Sequence, residues 1–142
     1  MTDVDNNDAK RKIILEEKRY VSSKISDLSR YIGFGLVAVV YTILTSDSKS
    51  VIRIYENYTF LLLIIAALGA ITILFDYLQF VGGYNAVEAA LKNKDDSYSY
   101  DPKSCWYRLR NIAFWIKQVT ALLGALILII VITLSALHII LL

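Results

Sequence analysis

Apolar residues fall in three blocks along the chain, and the central block sets the terms for the rest. Tyr58 to Phe75 runs for eighteen residues without a charge. At 1.5 Å per residue a helix of that length covers about 27 Å, close to the hydrocarbon thickness of a bilayer. A chain of 142 residues cannot surround such a helix with protein on every side, so lipid is its expected solvent. Tyr31 to Ser46 is shorter, about 24 Å as a helix, and must thin the bilayer, borrow from its flanks or turn back as a re-entrant segment. Val119 to Leu142 has twenty-four residues and no Asp, Glu, Lys or Arg, and is the clearest span of the three.

The polar stretches complete the pattern. Met1 to Asn7 reads as a frayed end, and Asn6, Asn7 or Asp8 can cap a helix that starts near Asp8. In that helix Ile14, Val21, Ile25, Leu28 and Ile32 recur at spacings of seven, four, three and four, which makes one apolar face. Lys12 with Glu16 and Asp27 with Arg30 can pair elsewhere on it. It is expected to lie on the inner membrane surface or against a sister subunit. Ser46 to Asn57 reads as a short connection, Gly82-Gly83 as a bend or stop, and Lys94 to Ser104 as a loop. Asp101-Pro102 suits the start of a last helix whose face would be Trp106, Leu109, Ile112, Ala113 and Ile116. The expected fold is therefore all-α: residues 1–30 form a cytoplasmic tail and amphipathic helix, and residues 31–142 a three-span membrane domain. Its spans are placed at about 31–46, 58–81 and 113–142, with a cytoplasmic loop over 82–112.

Basic residues orient the chain. Lys and Arg number seven before the first block, two between the first and second, six between the second and third, and none after it. That alternation predicts three spans with the N-terminus cytoplasmic and the C-terminus outside. A re-entrant first block would leave one basic tract on the wrong side. Tyr55 and Tyr58 would mark the outer interface, with Tyr31, Tyr77, Phe80, Trp106 and Trp115 at the inner one.

Composition narrows the chemistry. A formal charge of +2 gives no reason to expect nucleic acid, and a single cysteine, Cys105, offers no internal disulfide or metal knuckle. No phosphate loop, nucleophile elbow, paired-carboxylate site or metal cluster is present, so no catalytic residue, cofactor, metal or small-molecule substrate is expected. His138 reads as an interfacial polar residue. The one acid attached to a span is Asp76; antiparallel spans bring it to the depth of Arg30 and Lys117. Such a cluster is either an inner-boundary ion pair that fixes helix packing or, more sharply, a gate or ion relay. Small residues recur on every span, at Gly33, Gly35 and Ala38, at Ala66, Gly69 and Ala70, and at Thr120, Ala121, Gly124 and Ala125. Helices in lipid meet where small side chains admit close backbone approach, so these positions serve the bundle, self-association, or both.

At Arg30-Tyr31-Ile32-Gly33-Phe34-Gly35, Phe75-Asp76-Tyr77-Leu78-Gln79-Phe80 and Phe114-Trp115-Ile116-Lys117-Gln118 the chain resembles small, poorly characterised bacterial inner-membrane proteins of several spans. Some of these accompany anti-phage defence systems as membrane effectors. The resemblance implies work on the inner membrane, as a homo-oligomer or under a soluble partner, and carries no catalytic residue over. The functional expectation is a non-enzymatic membrane effector or small channel-like homo-oligomer. The alternative is an accessory or scaffold subunit that anchors a larger complex without conductance of its own.

Overall fold

The computed structural model describes residues 3–92 and 103–140. They form three helices: α1 (Asp3–Thr45), α2 (Lys49–Lys92) and α3 (Cys105–Ile140). Each is long and apolar enough to cross a membrane. With 43, 44 and 36 residues, they extend about 65, 66 and 54 Å, roughly twice the hydrocarbon layer. Most of the surplus length lies at the end that carries Lys10 to Arg30, Lys92 and Lys103 to Arg110, and Lys49 to Asn57 of α2 extends past the other end. The expected loop over 94–104 lies mostly outside the described residues, as do the Asp101-Pro102 cap and the His138 side chain.

The helices run antiparallel in sequence order. Asp76 of α2 meets Lys117 of α3, and Thr72 meets Thr120, so the pairs step in opposite directions along the two helices. Buried positions recur at spacings of three and four on every helix: Ser26, Ser29, Gly33, Leu36 and Val40 on α1; Leu62, Ile65, Gly69, Thr72 and Asp76 on α2; Ala113, Lys117, Ala121 and Gly124 on α3. A 3–4 repeat is the seam of left-handed helix packing, in which side chains of one helix fill the spaces of the next.

The seam changes character along its length. Leu36, Val40, Leu62, Ile65 and Val131 close it at one end. Glycines and hydroxyls fill the middle, a charged layer follows, and Gly82, Ala86, Ala90 and Ala113 line the basic end. Small residues hold the backbones close. A Cβ on Gly69 would stand 2.8 Å from the Gly33 carbonyl oxygen, and one on Gly33 would stand 3.2 Å from the Gly69 oxygen.

Several local expectations need correction. Helix α1 starts at Asp3, not Asp8, and is continuous through Arg30, so the amphipathic segment and the first apolar block are one rod. A surface-lying helix or a re-entrant block needs a turn that α1 lacks. The apolar face at Ile14, Val21, Ile25 and Leu28 is exposed, which accords with a face turned away from the bundle, while Ser26, Ser29 and Gly33 turn inward. The inward stripe has the same 3–4 period, and its small side chains let α1 approach the other two helices.

The connection between α1 and α2 is only Ser46 to Ser48, because Lys49 to Asn57 is already helical. Ser48 presents its carbonyl to the amides of Val51 and Ile52, which starts the helix. A break follows at Tyr58 (φ −127°, ψ 19°). There the Asn57 side chain donates to the Arg53 carbonyl at 2.9 Å and the Thr59 hydroxyl to the Tyr55 carbonyl. Side chains that compete for helix carbonyls in this way bend helices. Tyr58 is half-buried and packs against the apolar end of the seam.

Gly82-Gly83 does not end α2, which continues to Lys92, and α3 starts at Cys105, so residues 82–112 are not simply a loop. Gly82 is a crossing point: a Cβ there would meet the Arg110 amide nitrogen at 3.1 Å and the Trp106 carbonyl at 3.2 Å. Of the face expected on α3, only Ala113 is buried, because the seam runs from Ala113 through Lys117 rather than through Ile112.

Candidate functional site

The charged layer is assembled from all three helices. On α2, Thr72, Asp76 and Gln79 follow each other at the 3–4 spacing, so the carboxylate is held on the seam and not on the outer face. On α3, Lys117 sits between Ala113 and Ala121, whose small side chains leave its four-carbon stem room inside the bundle. On α1, Ser26 and Arg30 lie one turn apart beside them.

Arg30, Asp76 and Lys117, proposed from the sequence as a cluster, do come together. The Arg30 Nε donates to Asp76 Oδ2 at 2.6 Å, and the Lys117 Nζ donates to Asp76 Oδ1 at 2.6 Å. Lys117 Nζ also donates to the Ser26 hydroxyl. Asp76 is 6% exposed and Lys117 fully buried, so both oxygens of one carboxylate carry charge-assisted bonds away from solvent. Arg30 is less enclosed and stands 5.1 Å from the centre of the exposed Phe80 ring, a cation–π distance. Asp27 lies 3.7 Å from the Arg30 guanidinium and brings the four charges to neutrality.

One turn further into the seam, the Thr72 and Thr120 hydroxyls are 2.8 Å apart. Each is also within bonding distance of a carbonyl on its own helix, Leu68 for Thr72 and Ile116 for Thr120. One hydroxyl therefore donates across the interface while the other donates to its own backbone. Bonds of this kind between membrane helices contribute about 0.6 kcal/mol on average.

Sequence reasoning missed Ser26 and Thr72 as members of this layer. The signal was present in the 3–4 spacing of Ser26 with Ser29 and Gly33, and of Thr72 with Gly69 and Asp76. Arg30 Nη2, Gln79 Oε1 and Gln118 Nε2 are buried with no hydrogen-bond partner among the described residues.

The candidate packing residues separate into two groups. Gly33, Gly69, Ala121 and Gly124 are buried in the seam, and Ala66 and Ala125 are half-buried. Gly35 and Ala70 are exposed, as is Ala38, and a Cβ on Gly35 would meet nothing within 4 Å. These three do not hold the protomer together.

Chemically, the layer is closed. The carboxylate is saturated by two cations, and beyond the threonines the seam continues through Leu36, Val40, Leu62, Ile65 and Val131 to Ser135, whose buried hydroxyl donates to the Val131 carbonyl at 2.7 Å. Among the described residues no group of three His, Cys, Asp or Glu side chains could hold a metal ion. No protein-family model, curated protein or solved structure matches the chain, so its geometry alone bears on what it does.

Proposed function

We propose that the protein is a non-enzymatic, multi-pass subunit of the bacterial inner membrane that anchors or supports a partner and does not itself conduct. The N-terminus is cytoplasmic and the C-terminus outside, as the basic residues at one end of the bundle favour. One observation supports this reading above the others: the ionisable groups attached to the spans are used up inside the protomer. Asp76 and Lys117 bond each other at 2.6 Å, and the outward faces carry Leu63, Leu74, Leu122, Leu126, Ile129 and similar residues. A water-filled pore between copies requires a polar stripe on the faces that meet around it.

The surplus helical length at the basic end is the part available to a soluble partner. Purification from native membranes in mild detergent is expected to recover a second protein at fixed stoichiometry, and controlled expression of the chain alone is expected to leave membrane potential unchanged. Collapse of a potential-sensitive dye signal on expression, with a closed homo-oligomer in detergent, overturns the reading.

That outcome would favour the second reading, a channel-like homo-oligomer acting as a membrane effector, for which the resemblance to anti-phage defence proteins speaks. Its structural support is the exposed trio Gly35, Ala38 and Ala70, since small residues on outward faces admit a second helix at close range.

A further inference from the structure

Helix α1 carries two 3–4 repeats, and the bundle uses one of them. The inward repeat runs through Ser26, Ser29, Gly33, Leu36 and Val40. The second takes Ile14, Lys18, Val21, Ile25 and Leu28 ahead of the first apolar block. It continues within the block through Ile32, Gly35, Val39 and Thr42, at spacings that alternate between four and three. All of these but Ile32 are exposed, Ile14, Val21 and Leu28 by 64, 46 and 60%. A spacing that averages 3.5 residues keeps one face of a helix against a second helix, with a left-handed supercoil, over its whole length.

Each half of this face is the opposite of what its solvent calls for. Among Arg19, Lys24 and Asp27, on the proposed cytoplasmic side, the face carries large apolar residues in a continuous row, which water disfavours. Within the apolar block, lipid favours large apolar side chains such as Leu63, Leu122 and Ile129 on the other helices. There the face carries Gly35, with Ala38 beside it, and a Cβ on Gly35 would meet nothing within 4 Å. Thr42 donates its hydroxyl to the Ala38 carbonyl at 2.9 Å and so presents no unmet donor to a neighbour. In water the burial of apolar surface drives association. In hydrocarbon helices meet where small side chains admit close backbone approach. The change from large to small falls beyond Arg30, where α1 enters the apolar block.

We infer that this face pairs with the same face of a second copy, α1 against α1, in a parallel two-fold dimer. The parallel direction rests on the membrane reading, since two copies inserted alike point the same way. A two-fold axis between them sets each repeat opposite itself. Lys18 is the only charge in the repeat. In a parallel pair its side chain packs into a hole that includes Glu17 of the second copy, and a single lysine in such a seam fixes the register. From Ile14 to Thr42 the face is about 42 Å long, and a third of the circumference of a helix about 11 Å across is then roughly 480 Å². Two copies bury roughly 1,000 Å² in total, the lower limit for a specific interface, so the apolar half and the small half are both needed. Two helices in contact enclose no pore, so the pair goes beyond the anchoring role and leaves it intact.

Oxidative cross-linking of the full chain in native membranes, in a Cys105→Ser background, tests the pairing. With copper phenanthroline, Val21→Cys and Leu28→Cys are expected to give a disulfide-linked dimer. Ser23→Cys is exposed but about 200° around the helix from Val21, and is expected to give little. Adding Gly35→Val to Val21→Cys is expected to reduce cross-linking about tenfold, the scale of an overpacked contact, with the protomer itself unchanged. Lys18→Glu sets like charges against each other and is expected to reduce it as well, and Glu17→Lys/Lys18→Glu is expected to restore it. Equal cross-linking at Ser23→Cys and Val21→Cys, a product with a different protein, no product at all, or a charge exchange that fails to restore the dimer overturns the pairing. None of these outcomes bears on membrane potential, by which the anchoring role is judged.

Discussion

Replacing Asp76 with asparagine is expected to destabilise the bundle by about 3–5 kcal/mol, the cost of leaving a buried charge without its partner. The carboxylate accepts from Lys117 and Arg30 at 2.6 Å each. Asparagine keeps one acceptor oxygen but no charge, so a fully buried ammonium faces a second cation with no negative charge between them. Lys117→Met is expected to cost less, because Asp76 keeps Arg30 and the methionine fills the vacated stem. The double variant Asp76→Asn/Lys117→Met should then be more stable than Asp76→Asn alone, since it removes the stranded charge along with its former partner. Thermal unfolding in detergent, with abundance in the membrane fraction, measures all three. A double variant destabilised by the sum of the two single costs would mean that Asp76 and Lys117 are not energetically coupled.

The second large effect is steric. In Gly69→Val the new Cβ would stand 2.8 Å from the Gly33 oxygen, 3.0 Å from Val37 Cγ2 and 3.1 Å from Leu36 Cβ. Two of these neighbours belong to or adjoin the α1 backbone and cannot swing aside, so α1 and α2 must separate. Overpacking of this kind costs about 1–3 kcal/mol, occasionally more. Gly35→Val adds the same atoms where nothing lies within 4 Å and is expected to leave the protomer unchanged. Loss of helical signal on titration with a denaturing detergent separates the two. Equal sensitivity would contradict the assignment of Gly69 to the seam and Gly35 to the outer face. A Gly35→Val variant of normal stability but reduced self-association would place Gly35 between copies.

Much of this was legible in the sequence, for a physical reason. A charge-free run such as Tyr58 to Phe75 and a lone acid such as Asp76 are conspicuous because hydrocarbon tolerates few exceptions, and the expected meeting of Asp76 with Arg30 and Lys117 followed from antiparallel order alone. The inner face of α1 was harder to read. Two stripes share its 3–4 period, one apolar (Ile14, Val21, Ile25, Leu28) and one small and polar (Ser26, Ser29, Gly33). The small, polar stripe is the buried set, because its short side chains let α1 approach α2 and α3 closely. Gly82 misled in a similar way. Glycine ends helices in water because it exposes backbone and releases entropy, but between packed helices it is retained where Arg110 and Trp106 present backbone at about 3 Å. The start of α2 was misjudged because Lys49, Arg53 and Glu56 are polar enough for a loop, yet include no proline or glycine to break a helix.

Compartment labelling bears most directly on the central claim, that three antiparallel helices cross the membrane with their basic ends in the cytoplasm. Cys105, the sole cysteine, is exposed at the start of α3, and Asp47 is exposed in the turn between α1 and α2. A membrane-impermeant maleimide is expected to label Asp47→Cys, in a Cys105→Ser background, in intact spheroplasts. It should label Cys105 of the natural chain only after permeabilisation. Labelling of Cys105 in intact spheroplasts as fast as in permeabilised ones, or protection of both positions, would contradict it.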